Sequence, residues 1–316
     1  MSVIICTYNR CESLRRTLQT CCDLVIPEGV TWELLVVDNN STDHTKQVCE
    51  SFSGKLPLRY IFEPRQGKTR AQNRAIGRSS GTLLLFTDDD VDVDRLWVKS
   101  LWDAWREQPE VEILGGKVHV HWNPPPPPWV TDNMEMLGGV ITHFDAGEES
   151  RLLSANGPMV FGANMAFSHR LLTGDICFRE DMGPTGSEYM THEETSLIRN
   201  LIHSGHQCAY VPASIVYHRT SSTRATESWV RKWFTASGKS TVRFEGTDDI
   251  PHACFGAPRY LWRRLIEAGC RYAFTRWTQP SAIWLRHEIA MATTWGMICE
   301  HRRQSRMQKK SVVSTQ

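Results

Sequence analysis

Over the first hundred residues, short apolar runs of strand length alternate with apolar positions at helical spacing. The runs Ser2–Cys6, Glu33–Asp38, Leu58–Phe62 and Thr82–Thr87 predict strands. Between them, Leu14, Leu18 and the Cys21-Cys22 pair recur on one helical face. Ser41 or Thr42 offers an N-cap for a second helix carrying Val48 and Phe52, and Thr69 opens a third through Ala71 and Ala75. Strands and helices in this alternation predict βαβ units and a mostly parallel sheet flanked by helices, an α/β fold. A fourth helix presents Trp97, Leu101, Trp102 and Trp105 on one face, read as core, with an aromatic ligand platform as the other reading.

Beyond Val111 the pattern is less regular. Gly116–Val120 is β-like, and Trp122-Asn123 then leads into five prolines, Pro124 to Pro128, and Trp129. Proline lacks the backbone donor a ladder needs, so the tract is expected as a stiff, extended surface loop. A strand near Met159–Phe167, a helix from Glu193 to His203 ended by Gly205, and a strand near Ala209–Val216 complete the body. From about Ser221 the chain reads as helical and rich in Trp and Arg, and it contains no internal repeat.

Charge refines this picture. The chain of 316 residues balances 36 Lys/Arg against 35 Asp/Glu, which excludes a general nucleic-acid binder. The balance hides an asymmetry. Residues 256–316 hold 11 basic and 3 acidic groups, leaving 25 basic and 32 acidic groups on residues 1–255. No apolar run approaches the roughly 20 residues a spanning helix requires. The first residues lack the basic segment and cleavage site of a signal peptide, and the ten cysteines include no CxxC pair, so a cytoplasmic location with reduced thiols is expected.

In an open α/β sheet ligands bind beyond the carboxyl ends of the strands, and four polar sets fall there. Thr7-Tyr8-Asn9-Arg10 follows the first strand. Asp38-Asn39-Asn40-Ser41-Thr42-Asp43 follows the second, where a carboxylate accepts from a ribose or base edge or simply closes a turn. Lys68, Arg70, Asn73 and Arg74 lie near a helix start, a setting that favours anions such as a diphosphate. Asp88-Asp89-Asp90-Val91-Asp92-Val93-Asp94 follows the apolar run Leu83–Phe86. Carboxylates crowded at a strand end repel one another unless a cation intervenes, and alternation puts Asp88 and Asp90 on one side. An EF-hand loop is excluded, because its sixth position, which needs Gly, would be Val93 or Arg95.

These sets, in this order, resemble the inverting family 2 glycosyltransferases of the GT-A fold. The matching segments are residues 2–10, 36–43, 67–75, Asp88-Asp89-Asp90, Phe161–Phe167 and Glu193–Arg199, so the resemblance covers roughly residues 1–220. It implies a nucleotide-sugar-binding half (1–95), an acceptor-binding and catalytic half of the same domain (96–220) and a basic helical extension (221–316). By the same resemblance, Thr7, Asn9 and Asp38, with Tyr8 and Arg10 beside them, hold the uridine-like part of a donor, most simply a UDP-sugar. Lys68 or Arg70, with Asn73 nearby, sits near the diphosphate or sugar, and Gly162, Ala163 and Asn164 line the sugar pocket. Asp88, Asp89 and Asp90 form the DxD motif, whose second aspartate reaches Mg2+ or Mn2+, and His218 supplies a further metal or phosphate ligand.

One departure stands out. Where the family shows Glu-Asp, this chain has Glu193-Glu194, and Thr191-His192-Glu193-Glu194 also fits an S/T-x-x-E capping box. Glu194 is the expected base, with Glu193 or a structural cap as alternatives. The acceptor is expected to be a saccharide or lipid-linked saccharide. A sugar nucleotidyltransferase and a non-catalytic nucleotide-sugar binder are the competing functions. The Trp/Arg-rich tail suggests peripheral contact with an anionic membrane, or else a subdomain that packs its tryptophans inward.

Overall fold

The computed structural model describes residues 1–172, 174, 176–184, 189–246 and 253–313. The described residues within 1–123, 141–188 and 193–220 form one compact unit, and those within 124–140, 189–192 and 221–316 form another.

The first unit is built on a nine-stranded mixed sheet among the described residues. Strands β1 (Ser2–Thr7), β2 (Glu33–Asp38), β3 (Leu58–Phe62) and β4 (Leu83–Asp88) alternate with helices α1 (Cys11–Cys21), α2 (Thr45–Glu50) and α3 (Lys68–Ile76). The four strands pair in parallel in the order β3-β2-β1-β4. Leu34 to Val37 and Leu83 to Leu85 are fully buried, as continuous apolar runs in a doubly covered sheet should be. Next come β5 (Val91–Val93), α4 (Trp97–Glu107) and β6 (Val111–Trp122). In order along the chain follow α5 (Pro128–Thr131), α6 (Met134–Ile141), β7 (Arg151–Leu153), β8 (Met165–Ser168), α7 (Glu193–His203) and β9 (Gln207–Thr220). The sheet continues β4-β8-β6-β9-β5, with β8 antiparallel to both neighbours, β6 and β9 parallel, and β7 also paired to β9.

Several expectations need correction. Helix α2 begins at Thr45, not after Ser41 or Thr42, because Asp43 takes the Thr45 amide at 3.1 Å while Ser41 N–H is spent on Asp38. The strand foreseen over Met159–Phe167 is shorter. Residues Gly162–Asn164 curl into a 3-10 turn and pairing starts at Met165. The proline tract is not loop throughout: Pro128 takes the first position of α5, where a missing N–H costs nothing, and α6 follows. Of the tryptophans on α4, Trp97 is fully buried, whereas Trp102 and Trp105 are half-buried, their rings 5.3 Å apart.

The second unit holds α5, most of α6, α8 (Glu227–Glu245), α9 (Arg259–Thr275) and α10 (Ser281–Val313), with a small ladder of β10 (Ala253–Cys254) and β11 (Ala257–Pro258). Thr226 caps α8 by accepting the Trp229 amide. Helices α8 and α10 approach closely at two glycines. A Cβ on Gly238 would lie 2.0 Å from the Thr293 carbonyl oxygen, and one on Gly296 2.0 Å from that of Thr235.

Candidate active site

The acidic run after β4 is a turn. The strand ends at Asp88, Asp89 and Asp90 turn the chain, and β5 leaves toward the far edge of the sheet. Arg219 on β9 fixes this turn by pairing with Asp92 and donating to the Asp89 carbonyl at 3.3 Å. Asp88 and Asp90 are thereby brought together with His218, with one ligand atom of each within 4.8 Å of the others.

The Thr220 hydroxyl lies 2.8 Å from His218 Nδ1 and 3.1 Å from the Ile141 carbonyl. With its hydrogen on the carbonyl, it accepts from Nδ1–H and His218 Nε2 presents a lone pair beside Asp90 Oδ1, 3.1 Å away, the tautomer that a cation would use; with its hydrogen on Nδ1, Nε2–H donates to Asp90. A carboxylate–carboxylate–imidazole set of this kind suits a small divalent ion, and the Thr220 contact is the orienting partner such ligands usually have.

Asp89 turns the other way. It is buried, accepts from Thr7 Oγ1 at 2.7 Å and pairs with Arg10, which also reaches Asp90 at 2.9 Å. Burial, and then the neighbouring Asp90, push its carboxyl up to about 6, against the pull of Arg10.

Lys68, the first residue of α3, links this turn to α7. Its ammonium lies 2.8 Å from Glu194 Oε1, 3.4 Å from Glu193 Oε1 and 3.4 Å from Asp88 Oδ1. Burial alone would lower its pKa; Asp88, Glu194 and Glu193 outweigh that and raise it well above the usual lysine value. Glu193 is displaced upward from the usual carboxyl range by burial and by Glu194, with Lys68 opposing. Gly162 makes room for this arrangement, since a Cβ there would stand 2.1 Å from Glu194 Oε1. The alternative role of Glu194 in a capping box is not formed. The Thr191 amide that such a box would engage donates instead to Ser240 Oγ at 3.1 Å.

At the ends of β1 and β2, Asn9 and Asn40 adopt left-handed backbone conformations, at φ 51° and 67°. Asn9 Oδ1 accepts the Thr42 amide at 2.7 Å, which ties the two loops together. Asp38 is buried, its two oxygens accepting from the Ser41 amide at 2.8 Å and the Tyr60 hydroxyl at 2.7 Å. Each carboxylate oxygen keeps a second lone pair for a ligand donor. Tyr8 is exposed beside it.

Residues 2–173 match the profile of the family described as Glycosyl transferase family 2. The chain belongs to that family. The succinoglycan biosynthesis protein ExoM of Rhizobium meliloti is 24% identical over 241 residues, 76% of this chain and 73% of its own. Glycosyltransferase AglE of Haloferax volcanii is 36% identical over 101 residues, 31% of this chain and 33% of its own. Among solved structures, the mannosyltransferase PcManGT of Pyrobaculum calidifontis superposes with a TM-score of 0.57 at 18% identity, covering 97% of this chain and 86% of that one. Residues 1–349 of S. aureus TarS give 0.53 at 15% identity, covering 96% and 91%. The fold is therefore GT-A, the mixed sheet with its helices followed by C-terminal helices.

Within this glycosyltransferase, some residues expected at the donor are engaged elsewhere. Asn164 is completely buried, and its amide is spent on Trp97 Nε1, Ser214 Oγ and the carbonyls of Lys117 and Ser214. Both donors and both acceptor sites are used, so Asn164 braces the sheet beneath Gly162 and has nothing left for a sugar. Ala163 is buried and its carbonyl accepts from Thr87. Asn73 clamps the backbone of Phe178 at 2.8 and 3.0 Å, and Arg70 reaches Glu180 at 3.1 Å. The amide of Lys68, at the helix start expected to favour an anion, is taken by the Pro184 carbonyl.

Two roles escaped the sequence reading. Thr220 orients His218, and its signal was available, since two residues apart on a strand share a face. Asn39 accepts the Gly67 amide at 2.7 Å and donates to the Arg65 carbonyl at 2.8 Å, fixing the entry to α3. Gly67 itself sits at φ 145°, a backbone conformation that favours glycine.

Proposed function

We propose that this glycosyltransferase moves a sugar from a UDP-sugar to a hydroxyl of a saccharide or lipid-linked saccharide, with inversion and with Mg2+ or Mn2+ bound. The observation that carries the reading is the Lys68 bridge. One ammonium touches both Asp88, a member of the cation set, and Glu194, so the place for a diphosphate and the place for a base adjoin. Charge supports the metal: among the described residues, one lysine, Lys68, serves Asp88, Glu193 and Glu194, and Arg10 serves Asp89 and Asp90. A diphosphate entering such a group is repelled until a divalent ion joins it. Asp88, Asp90 and His218 would hold that ion, which supplies neutralising charge to the departing diphosphate.

The chain's own residues do the rest. Glu194 takes the proton of the attacking acceptor hydroxyl. Lys68 stabilises negative charge at the leaving side and keeps the Glu194 carboxylate aimed across Gly162. One in-line displacement inverts the anomeric centre, so no second nucleophilic carboxylate is required. Asp38 and the Asn9–Thr42 tie support nucleoside binding at the ends of β1 and β2. Support for the partners comes from similar proteins: TarS has been crystallised with UDP-GlcNAc, PcManGT with GDP-Man and Mn2+, and ExoM is named for succinoglycan biosynthesis.

The test is donor binding followed by melting temperature, with UDP- and GDP-sugars and with or without Mn2+. Wild type should be stabilised by a UDP-sugar only when the metal is present. Asp90→Asn should abolish that shift, and Thr220→Val should weaken the metal dependence by roughly 10–100-fold. A metal-independent shift that survives in Asp90→Asn refutes the metal role, and a shift with GDP-sugars alone refutes the UDP assignment.

A further inference from the structure

Helix α9 has two contrasting faces. Leu261 is buried in a cluster with Ile298 and Met297 of α10, and Ala268 and Thr275 are buried on the same side. The opposite side is apolar as well, yet uncovered: Ile266 is 65% exposed, Phe274 73% and Trp277, just past the last turn, 85%. Positions 259, 263, 266, 270, 274 and 277 follow one another by three or four residues, so they form a single stripe along the helix. Tyr260, 61% exposed, flanks it.

Basic residues lie on this stripe, at Arg259 and Arg263, and along its flank, at Arg264 and Arg271. Arg259, Arg263, Arg264 and Arg271 are exposed, while the one acidic residue of α9, Glu267, pairs with Arg263 at 2.7 Å. Among the described residues, Arg259 and Arg264 have no carboxylate partner. Elsewhere in the unit the same residue types are packed. Trp284 is buried, the Arg276 guanidinium sits 4.4 Å from its ring centroid, and Arg303 pairs with Glu300. Arg276 also stands 5.1 Å from the Trp277 ring, which holds that exposed indole in place at the end of the stripe. The Trp/Arg composition of the tail thus divides: tryptophans such as Trp284 and their arginines build the unit, and α9 keeps a surface.

We propose that this face of α9 docks on an anionic bilayer surface. A helix with bulky apolar side chains between arginines, lying flat, places the former at the headgroup–acyl boundary and the latter among lipid phosphates. Charge complementarity selects the occupant: the face carries four arginines and one glutamate, which suits an acidic lipid surface and disfavours a second copy of the same positive face. The inference stands apart from the transfer reaction and from the residues assigned to it.

The experiment is co-sedimentation of the full chain with phosphatidylglycerol-containing vesicles and with pure phosphatidylcholine vesicles, at low and high salt. Binding is expected to the anionic vesicles only and to weaken with salt. A variant with Arg259→Gln, Arg263→Gln, Arg264→Gln and Arg271→Gln removes four charges. Each is worth roughly fivefold in partitioning near such a surface, so binding should fall on the order of several hundredfold. Ile266→Ser, Phe274→Ser and Trp277→Ser together should also abolish it, while the metal-dependent donor response, read on the same preparations, reports that the chain remains folded. Equal binding to both vesicle types, or undiminished binding by both folded variants, overturns the proposal. So does a dimer that the serine variant converts to monomer without any vesicle binding, which would assign the face to a second copy.

Discussion

Two buried glutamates, one in each unit, have opposite electrostatic fates. Glu300 on α10 is almost fully buried and is held by Arg243 at 2.9 Å and by Arg303, whose hydrogen bonds outweigh burial and bring its carboxyl down to about 2. Glu193 at the start of α7 is just as inaccessible, but it shares one lysine with Glu194 and Asp88, and its carboxyl is displaced upward. Both side chains are nearly inaccessible, but burial weighs more heavily on Glu193, and it shares a single lysine where Glu300 has two arginines. At Glu300 the helical unit offsets a buried charge with two arginines, which is the behaviour of scaffold. The sheet unit leaves carboxylates in excess around Lys68 and Asp88, an arrangement that becomes stable when ligands arrive, and perturbed carboxyl groups of this kind mark working sites.

The sharpest way to break this contrast is at Glu194. If it is the base, Glu194→Gln should lower turnover by roughly 10²- to 10⁴-fold while donor affinity changes little. Single-turnover assays beside donor titrations read both. Near-normal turnover in Glu194→Gln, with Glu193→Gln inactive and still able to bind donor, would move the base one residue earlier along α7.

The next largest effect belongs to the satisfied glutamate. Glu300→Ala removes the carboxylate that Arg243 and Arg303 both hold, and the loss of one partner from a buried pair costs about 3–5 kcal/mol. Denaturant unfolding measures it, and the folded fraction should bind donor as wild type does. A cost below about 1 kcal/mol would mean that the network is solvent-relaxed and that the contrast between the units is overstated.

How much of this arrangement the sequence disclosed depends on the distance over which each signal acts. The first four strands are legible because burial on both faces writes itself as continuous apolar runs. Asp88, Asp90 and His218 are legible as types. Strand alternation puts Asp88 and Asp90 on one side and the family resemblance adds His218, whereas a turn at Asp89-Asp90 places the two aspartates, and the three-residue β5 behind the turn is too short to leave a period. Asn164 illustrates the opposite failure. Its place in a Phe-Gly-Ala-Asn segment suggests a sugar contact, but four hydrogen bonds to three residues distant along the chain consume its amide, and nothing local announces them. Lys68 was placed near a diphosphate, yet the three carboxylates it bridges lie on two other elements, one of them more than a hundred residues away. The Trp/Arg tail gave composition without orientation. Only the helix boundaries of α9 and α10 decide which aromatic residues turn inward.

The smallest effect, and the one that sharpens the comparison most directly, is pH dependence. Glu193 has its folded pKa raised above the unfolded value near 4.5, so its contribution to stability is fully present below that value and is lost as pH rises through the folded pKa. Glu300 has its pKa lowered from 4.5 to about 2, so its contribution is present above pH 4.5 and is lost as pH falls toward 2. Glutamine titrates in neither range. Glu193→Gln should therefore match wild type in melting temperature near pH 4.5 and exceed it increasingly toward pH 8, by an amount on the order of 1 kcal/mol. Glu300→Gln should fall below wild type at neutral pH and close the gap as the solution is acidified. Measuring both variants from pH 3 to 8 without metal or donor gives two difference curves that slope in opposite senses, rising with pH for Glu193→Gln and falling with pH for Glu300→Gln. A Glu193→Gln difference that stays flat across that range would show that the carboxylates around Lys68 are not strained in the free protein. The excess negative charge would then cease to be an argument for a ligand.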